Sequence, residues 1–236
     1  MSHLLPMLLA AWLAGLAAAA GGLIARVEGS AESEGKQEII HGITAFGGGI
    51  LVAAVAFALA PEGMKVLPPS AMALLFLGGG VLFWAIDAWL SRRGGSRAQF
   101  LAMVMDFVPE ALSMGAVFSQ NRRLGILLAA FIGAQNLPEG FNAFREITAG
   151  GGTARRTLLT LLAVSLLGPL AAAAGYLFLQ DLQRVTAGIM TFAAGGILYL
   201  IFEDIAPQSR MRRHWIPPLG AVLGFLVGML GKVLLG

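Results

Sequence analysis

At 236 residues, 57% hydrophobic and 12% charged, the chain carries about half the charge of an ordinary soluble domain. Its net charge of +3 is small and its Lys and Arg lie between apolar runs, which excludes a nucleic-acid surface. With no cysteine, disulfide and thiolate chemistry are excluded as well.

The first apolar run, 4–25, is long enough to span a bilayer and lacks both a basic start and a cleavage site. It therefore reads as a transmembrane helix rather than a signal peptide. Residues 26–37 read as a polar loop, with Glu28, Glu32, Glu34 and Glu38 solvated. The second span, 39–60, closes in Pro61-Glu62-Gly63, and Pro68-Pro69 makes the next turn. The third, 70–90, ends in Trp84, Asp87 and Trp89 before a basic loop, Ser91 to Arg97. Spans at 99–119 and 124–144 flank a tight Asn121-Arg122-Arg123 turn. A Gly/Arg loop (150–156) leads to a sixth span, 157–179, interrupted at Gly168-Pro169. The seventh, 185–206, ends Glu203-Asp204-Ile205-Ala206-Pro207, and a basic loop, Arg210 to Arg213, leads to the eighth, 215–235. The expected fold is an all-α membrane protein: eight transmembrane helices forming a single domain over 1–236.

Basic residues set the orientation. One side collects Arg26, Lys36, Arg92, Arg93, Arg97, Arg145, Arg155, Arg156, Arg210, Arg212 and Arg213. The other has Lys65, Arg122, Arg123, Arg184 and Lys232. The richer side is read as cytoplasmic, with both termini outside. The second span carries Phe46 and Ala60-Pro61, and the seventh Phe192 and Ala206-Pro207, each pair offset by 192 − 46 = 146 positions. That match predicts an inverted repeat of helices 1–3 and 6–8 around helices 4 and 5, a pattern found in transporters. The competing explanation is chance likeness between two Gly- and Ala-rich helices.

The chemistry concentrates in two similar stretches inside apolar runs, Asp106-Phe107-Val108-Pro109-Glu110 and Gln135-Asn136-Leu137-Pro138-Glu139. Asp106 and Glu110 share a helix face, as do Gln135 and Glu139. Because the two helices run antiparallel, both motifs fall in one layer, roughly 10–16 Å from the basic side at ~1.5 Å per residue. A charge there costs at least ~2.5–3.5 kcal/mol, so protonation, a basic partner or a cation must offset it. No Lys or Arg lies at that depth. A bound divalent cation is the simplest partner, with protonation when the site is empty. Pro109 and Pro138 leave the carbonyls of Met105 and Ala134 without helical N–H partners, adding candidate oxygen ligands. A single such motif is compatible with a kinked helix and a protonated acid. Two at matched depth favour a site.

These residues resemble the ZIP family of divalent-metal transporters, whose metal site is built on helices four and five around His-Asn-x-Pro-Glu-Gly motifs. Val-Pro-Glu-Ala and Asn-Leu-Pro-Glu-Gly are similar to those cores, and the resemblance extends to the Gly-rich second helix, the Gly-Pro of helix six and the acidic end of helix seven. It implies eight helices with both termini outside, and a metal site of Asp106, Glu110, Gln135, Glu139 and Asn136, with Glu203 handling metal near the cytoplasm. Asp106 replaces the usual His, Phe107 a usual Asn, and Gly168 a Glu present in some members, so one metal rather than two is expected. Family likeness puts zinc first. An oxygen-only donor set favours manganese or iron.

The expected function is therefore transport of a divalent cation into the cytoplasm, in a cell membrane (bacterial inner membrane), without a prosthetic group or nucleic-acid partner. Gly-rich helix faces would allow a homodimer. The alternative is a ZIP-like protein that binds or senses metal without transport. A metal-dependent enzyme is disfavoured because no His-Glu-x-x-His cluster exists, and metal-independent flux would reveal an organic solute. Among other polar residues, Asn142 stands one turn beyond Glu139; Ser113 and Ser165 lie within spans; Asp87 reads as solvated; Glu62 is a candidate for the entrance. His3, His41 and His214 sit at span boundaries and share no ligand spacing.

Overall fold

The computed structural model describes residues 4–29, 33–93, 98–212 and 214–235. His3, Glu32, Arg97 and Arg213 lie outside the described residues. The described chain is helical throughout, arranged as α1 (Leu4–Glu28), α2 (Glu34–Val66), α3 (Pro69–Arg93), α4 (Ala98–Phe118), α5 (Arg122–Ala149), α6 (Ala154–Phe178), α7 (Gln183–Gln208) and α8 (Leu219–Leu235). Seven of these are long and apolar enough to cross a membrane. The shorter α8, of 17 residues, is equally apolar. The protein is thus a multi-pass, all-α membrane protein.

Helix ends follow local chemistry. The acidic stretch read as a loop is helical from Glu34 onward, because Ser33 caps α2 by accepting from the Lys36 amide and Glu34 sits in the favourable first turn. Asn121 caps α5 through the Leu124 amide (3.0 Å). Gly29, at φ 70°, ends α1 in the left-handed region open to glycine. Leu166 interrupts α6, since Pro169 offers no N–H to the Ser165 carbonyl. In α2 and α7 the prolines do not end the helix. A π turn over Val55–Leu59 precedes Pro61, and another over Ile201–Ile205 precedes Pro207; the wider turn makes room for the ring. The two π turns are 201 − 55 = 146 positions apart.

α5 lies at the centre, packed against α1, α4 and α2 and more lightly against α8. α4 packs on α5, the second half of α6 and α7; α2 pairs with α8, and α7 with α3. Small residues set these approaches. In Gly47-Gly48-Gly49, a Cβ at each position would strike, respectively, Pro138 of α5, Ile205 of α7 and the Ala221 carbonyl of α8. One run of three glycines thus seats α2 against three neighbours. α3 stands at the periphery, with only 11% of its apolar window covered.

Candidate metal centre

The two Pro-Glu motifs meet across the α4–α5 contact. Both prolines lie inside otherwise continuous helices. Gln135 Nε2 donates to Glu110 Oε2 at 2.5 Å. In an antiparallel pair, that contact also sets Asp106 and Glu139, one turn away on each helix, at a common level. Asp106, Glu110 and Gln135 are buried at 2%, 2% and 0% exposure. The α7 residue Asp204 lines the same cavity as Asp106 and Glu139.

Three oxygens here are buried with no hydrogen-bond partner: Asp106 Oδ1, Gln135 Oε1 and Glu139 Oε2. Such orphans are costly unless something outside the chain satisfies them. Asp106 and Glu139 also line a cavity of about 30 Å³, enough for a water-sized species. It runs between α2, α4, α5 and α7 past Thr44, Asn142 and Asp204 to Gln208, at the arginine-rich end. Asn142 Nδ2 donates to Thr44 Oγ1 at 3.1 Å, closing one wall. A separate polar cavity of about 310 Å³ lies at the opposite end, lined by Glu62, Lys65, Gln120, Gln180 and Gln183 among others. Between the two, α4, α5 and α7 bury Met114, Leu128, Ile132 and Ala194. Among the described residues, no three Asp, Glu or His side chains form a metal cluster by themselves. A cation at this level would need the Gln135 amide oxygen, a backbone carbonyl or water to complete its shell.

Asp106, Glu110, Gln135 and Glu139 are thus brought together. Asn136 is turned ~100° around α5 from Gln135. Its Nδ2 donates to the Ala14 carbonyl of α1 at 3.0 Å, while its Oδ1 is a further buried orphan. Glu203 is exposed and does not line the cavity; the neighbouring Asp204 does. The sequence offers Glu203 and Asp204 together as an exit route, and spacing separates them, since Ile197, Leu200, Asp204 and Gln208 recur every three or four residues along one face. Thr44 had no such signal. Phe107 is fully buried, and its ring tip would meet a Cβ added at either Gly15 or Gly168 at 2.9 and 2.7 Å. The ring therefore fills the space between α1 and α6 beside the site.

Other polar residues hold helices together. Asp87 is not simply solvated: its carboxylate accepts from the Tyr199 hydroxyl at 3.0 Å, joining α3 to α7. Nor is the acidic cluster near the start of α2. Glu28 pairs with Lys36 (3.1 Å) and Arg145 (2.7 Å), and Glu34 and Glu38 pair with His214. Hydrogen bonding to Glu34 foremost, then to Glu38, raises the His214 pKa above its usual 6.5. His41 Nδ1 donates to the Gln208 carbonyl.

Residues 96–236, more than half of the chain, match the ZIP zinc transporter family. The chain is also similar to the zinc transporter GufA of Myxococcus xanthus, 31% identical over 110 residues. That match covers 46% of this chain and 43% of the relative's length.

Proposed function

The chain belongs to the ZIP zinc transporter family, and we propose that it carries a divalent metal cation into the cytoplasm through one carboxylate-rich site on α4 and α5. Members of this family are transporters, not enzymes. The observation that carries the reading is the set of orphaned buried oxygens on Asp106, Gln135 and Glu139 at one level of the bundle. A cation would satisfy all three. In this mechanism the ion exchanges water for these oxygens, with Glu110 holding the Gln135 amide in place. It then leaves past Asp204 and Gln208 as the helix groups rock about the site. Asn136 adds an oxygen on the α1 side, and Glu203 remains an interfacial carboxylate beside the exit.

Family membership puts zinc first, the oxygen-only donor set suits manganese or iron, and Phe107 in the space beside Gly168 supports a single ion. α8, about 25 Å long at ~1.5 Å per residue, serves as the eighth span. The paired π turns, together with the α2–α8 and α7–α3 packing, support an inverted repeat of α1–α3 and α6–α8. Both termini then lie outside a bacterial inner membrane.

Uptake by reconstituted vesicles tests the site. Glu110→Ala and Glu139→Ala should each bring metal uptake to background while the protein still elutes as a folded species, with Zn²⁺, Mn²⁺, Fe²⁺ and Cd²⁺ compared in wild type. Unimpaired uptake in both variants would sink the assignment. Metal binding without flux in wild type would favour a non-transporting receptor.

A further inference from the structure

A cavity of about 620 Å³ opens at the arginine-rich face between the end of α1, the end of α5 and the start of α6, lined by Ala25, Arg26, Arg145, Glu146 and Ala154 among others. This is the size of a small-ligand site, and it lies apart from the α4–α5 centre. Its donors are arranged in advance. Arg145 is fixed by its 2.7 Å bond to Glu28, with its guanidinium 5.8 Å from the Phe141 ring centre. Most of its five N–H donors remain available. Arg26 is exposed and paired with no acid among the described residues. Beyond Ala154, Arg155 and Arg156 are also exposed, and the first turn of α6 carries no acid. Glu146, in the same wall, offsets only part of this positive charge.

The helices that frame the cavity also carry bare apolar side chains nearby in sequence: Leu23 and Val27 of α1 are 52% and 82% exposed, and Leu159 of α6 is 54% exposed. A site with basic donors at the membrane boundary and apolar flanks below fits a ligand that is anionic at one end and oily at the other. We propose that this cavity binds the headgroup phosphate of an anionic phospholipid, with its acyl chains against the exposed side chains of α1 and α6. A zwitterionic lipid brings its own cation to the same arginines and gains less.

The test is binding of phosphatidylglycerol and of phosphatidylcholine with matched chains to the purified full chain in detergent, read by native mass spectrometry and by thermal shift. Wild type should prefer phosphatidylglycerol. Arg26→Gln should weaken that binding about fivefold, the effect of about 1 kcal/mol per basic residue at a membrane surface. Arg122→Gln, which removes the same charge at the opposite face, should leave it unchanged. Arg26 and Arg122 are both exposed, so both variants should keep the lipid-free melting temperature. Equal binding of phosphatidylcholine, or equal losses in both variants, would overturn the proposal. So would stabilisation by inorganic phosphate matching that of the lipid, because the ligand would then be a free anion.

Discussion

At the scale of single residues, the site depends on helix phase as much as on residue type. Asp106, Glu110, Gln135 and Glu139 were legible in the sequence because four-residue spacing fixes a shared face. The level they share follows from two antiparallel helices joined by a short turn. Asn136 and Glu203 illustrate what motif adjacency leaves out: one position along a helix is ~100° around it, which sends Asn136 to α1 and Glu203 to the outer surface. The last residue of the helix-five motif, Gly140, has a steric purpose that only packing reveals. A Cβ there would collide with the Ala18 carbonyl and Cα, whereas one at Gly133, two turns earlier, would meet Ala14 Cα at an ordinary 3.5 Å. Gly140→Ala should therefore cost about 1–3 kcal/mol by overpacking and lower the melting temperature in detergent. Gly133→Ala should be neutral or stabilising, by up to about 1 kcal/mol of helix propensity. Equal melting temperatures for the two variants would contradict this reading of the α1–α5 contact.

At the scale of elements, apolar run length located the helices well, but charged residues misplaced the start of α2. Sequence alone favours a solvated loop for Glu34 and Glu38. In the fold they form one face of the first turns of α2, and His214 from the α7–α8 connection docks between them, Nε2 to Glu34 at 3.0 Å and Nδ1 to Glu38 at 3.4 Å. A carboxylate facing each ring nitrogen favours the imidazolium over the neutral ring. Its raised pKa gives the sign. The contact is fully present below the unfolded value of about 6.5, and it is lost as pH rises through the higher folded value. Backbone amide exchange over residues 208–219, corrected for the intrinsic pH dependence of exchange, should accelerate on going from mildly acidic to alkaline pH. In His214→Gln it should be fast and independent of pH. A wild-type profile with no such acceleration would show that the carboxylates do not hold the loop through the imidazolium. Because His41 ties the next turn of α2 to the Gln208 carbonyl, release would loosen the mouth of the cavity that Gln208 lines.

At the scale of the whole molecule, the proposed transport path needs the two polar cavities to face opposite sides of the membrane with the carboxylate layer between them. In the proposed orientation, taken from the distribution of loop charge, the Gln208 end faces the cytoplasm and the Gln183 end the outside. The expectation comes only from loop arginines, since nothing in an apolar helix itself records its direction. The absence of cysteine makes the assignment directly testable, because a single introduced thiol gives the whole signal. A membrane-impermeant maleimide added to intact cells should label Gln183→Cys and should reach Gln208→Cys only after permeabilisation. The reverse pattern would turn the exit past Asp204 into an entrance and the proposed uptake into export. Labelling of both from one side would mean that α7 does not cross the membrane, and would contradict the proposed pseudo-twofold relation of α2 to α7. The same experiment therefore bears on both direction and topology. The proposed direction rests on the eleven-to-five division of basic residues among the loops of the sequence, and the proposed topology rests on π turns at matching positions of α2 and α7.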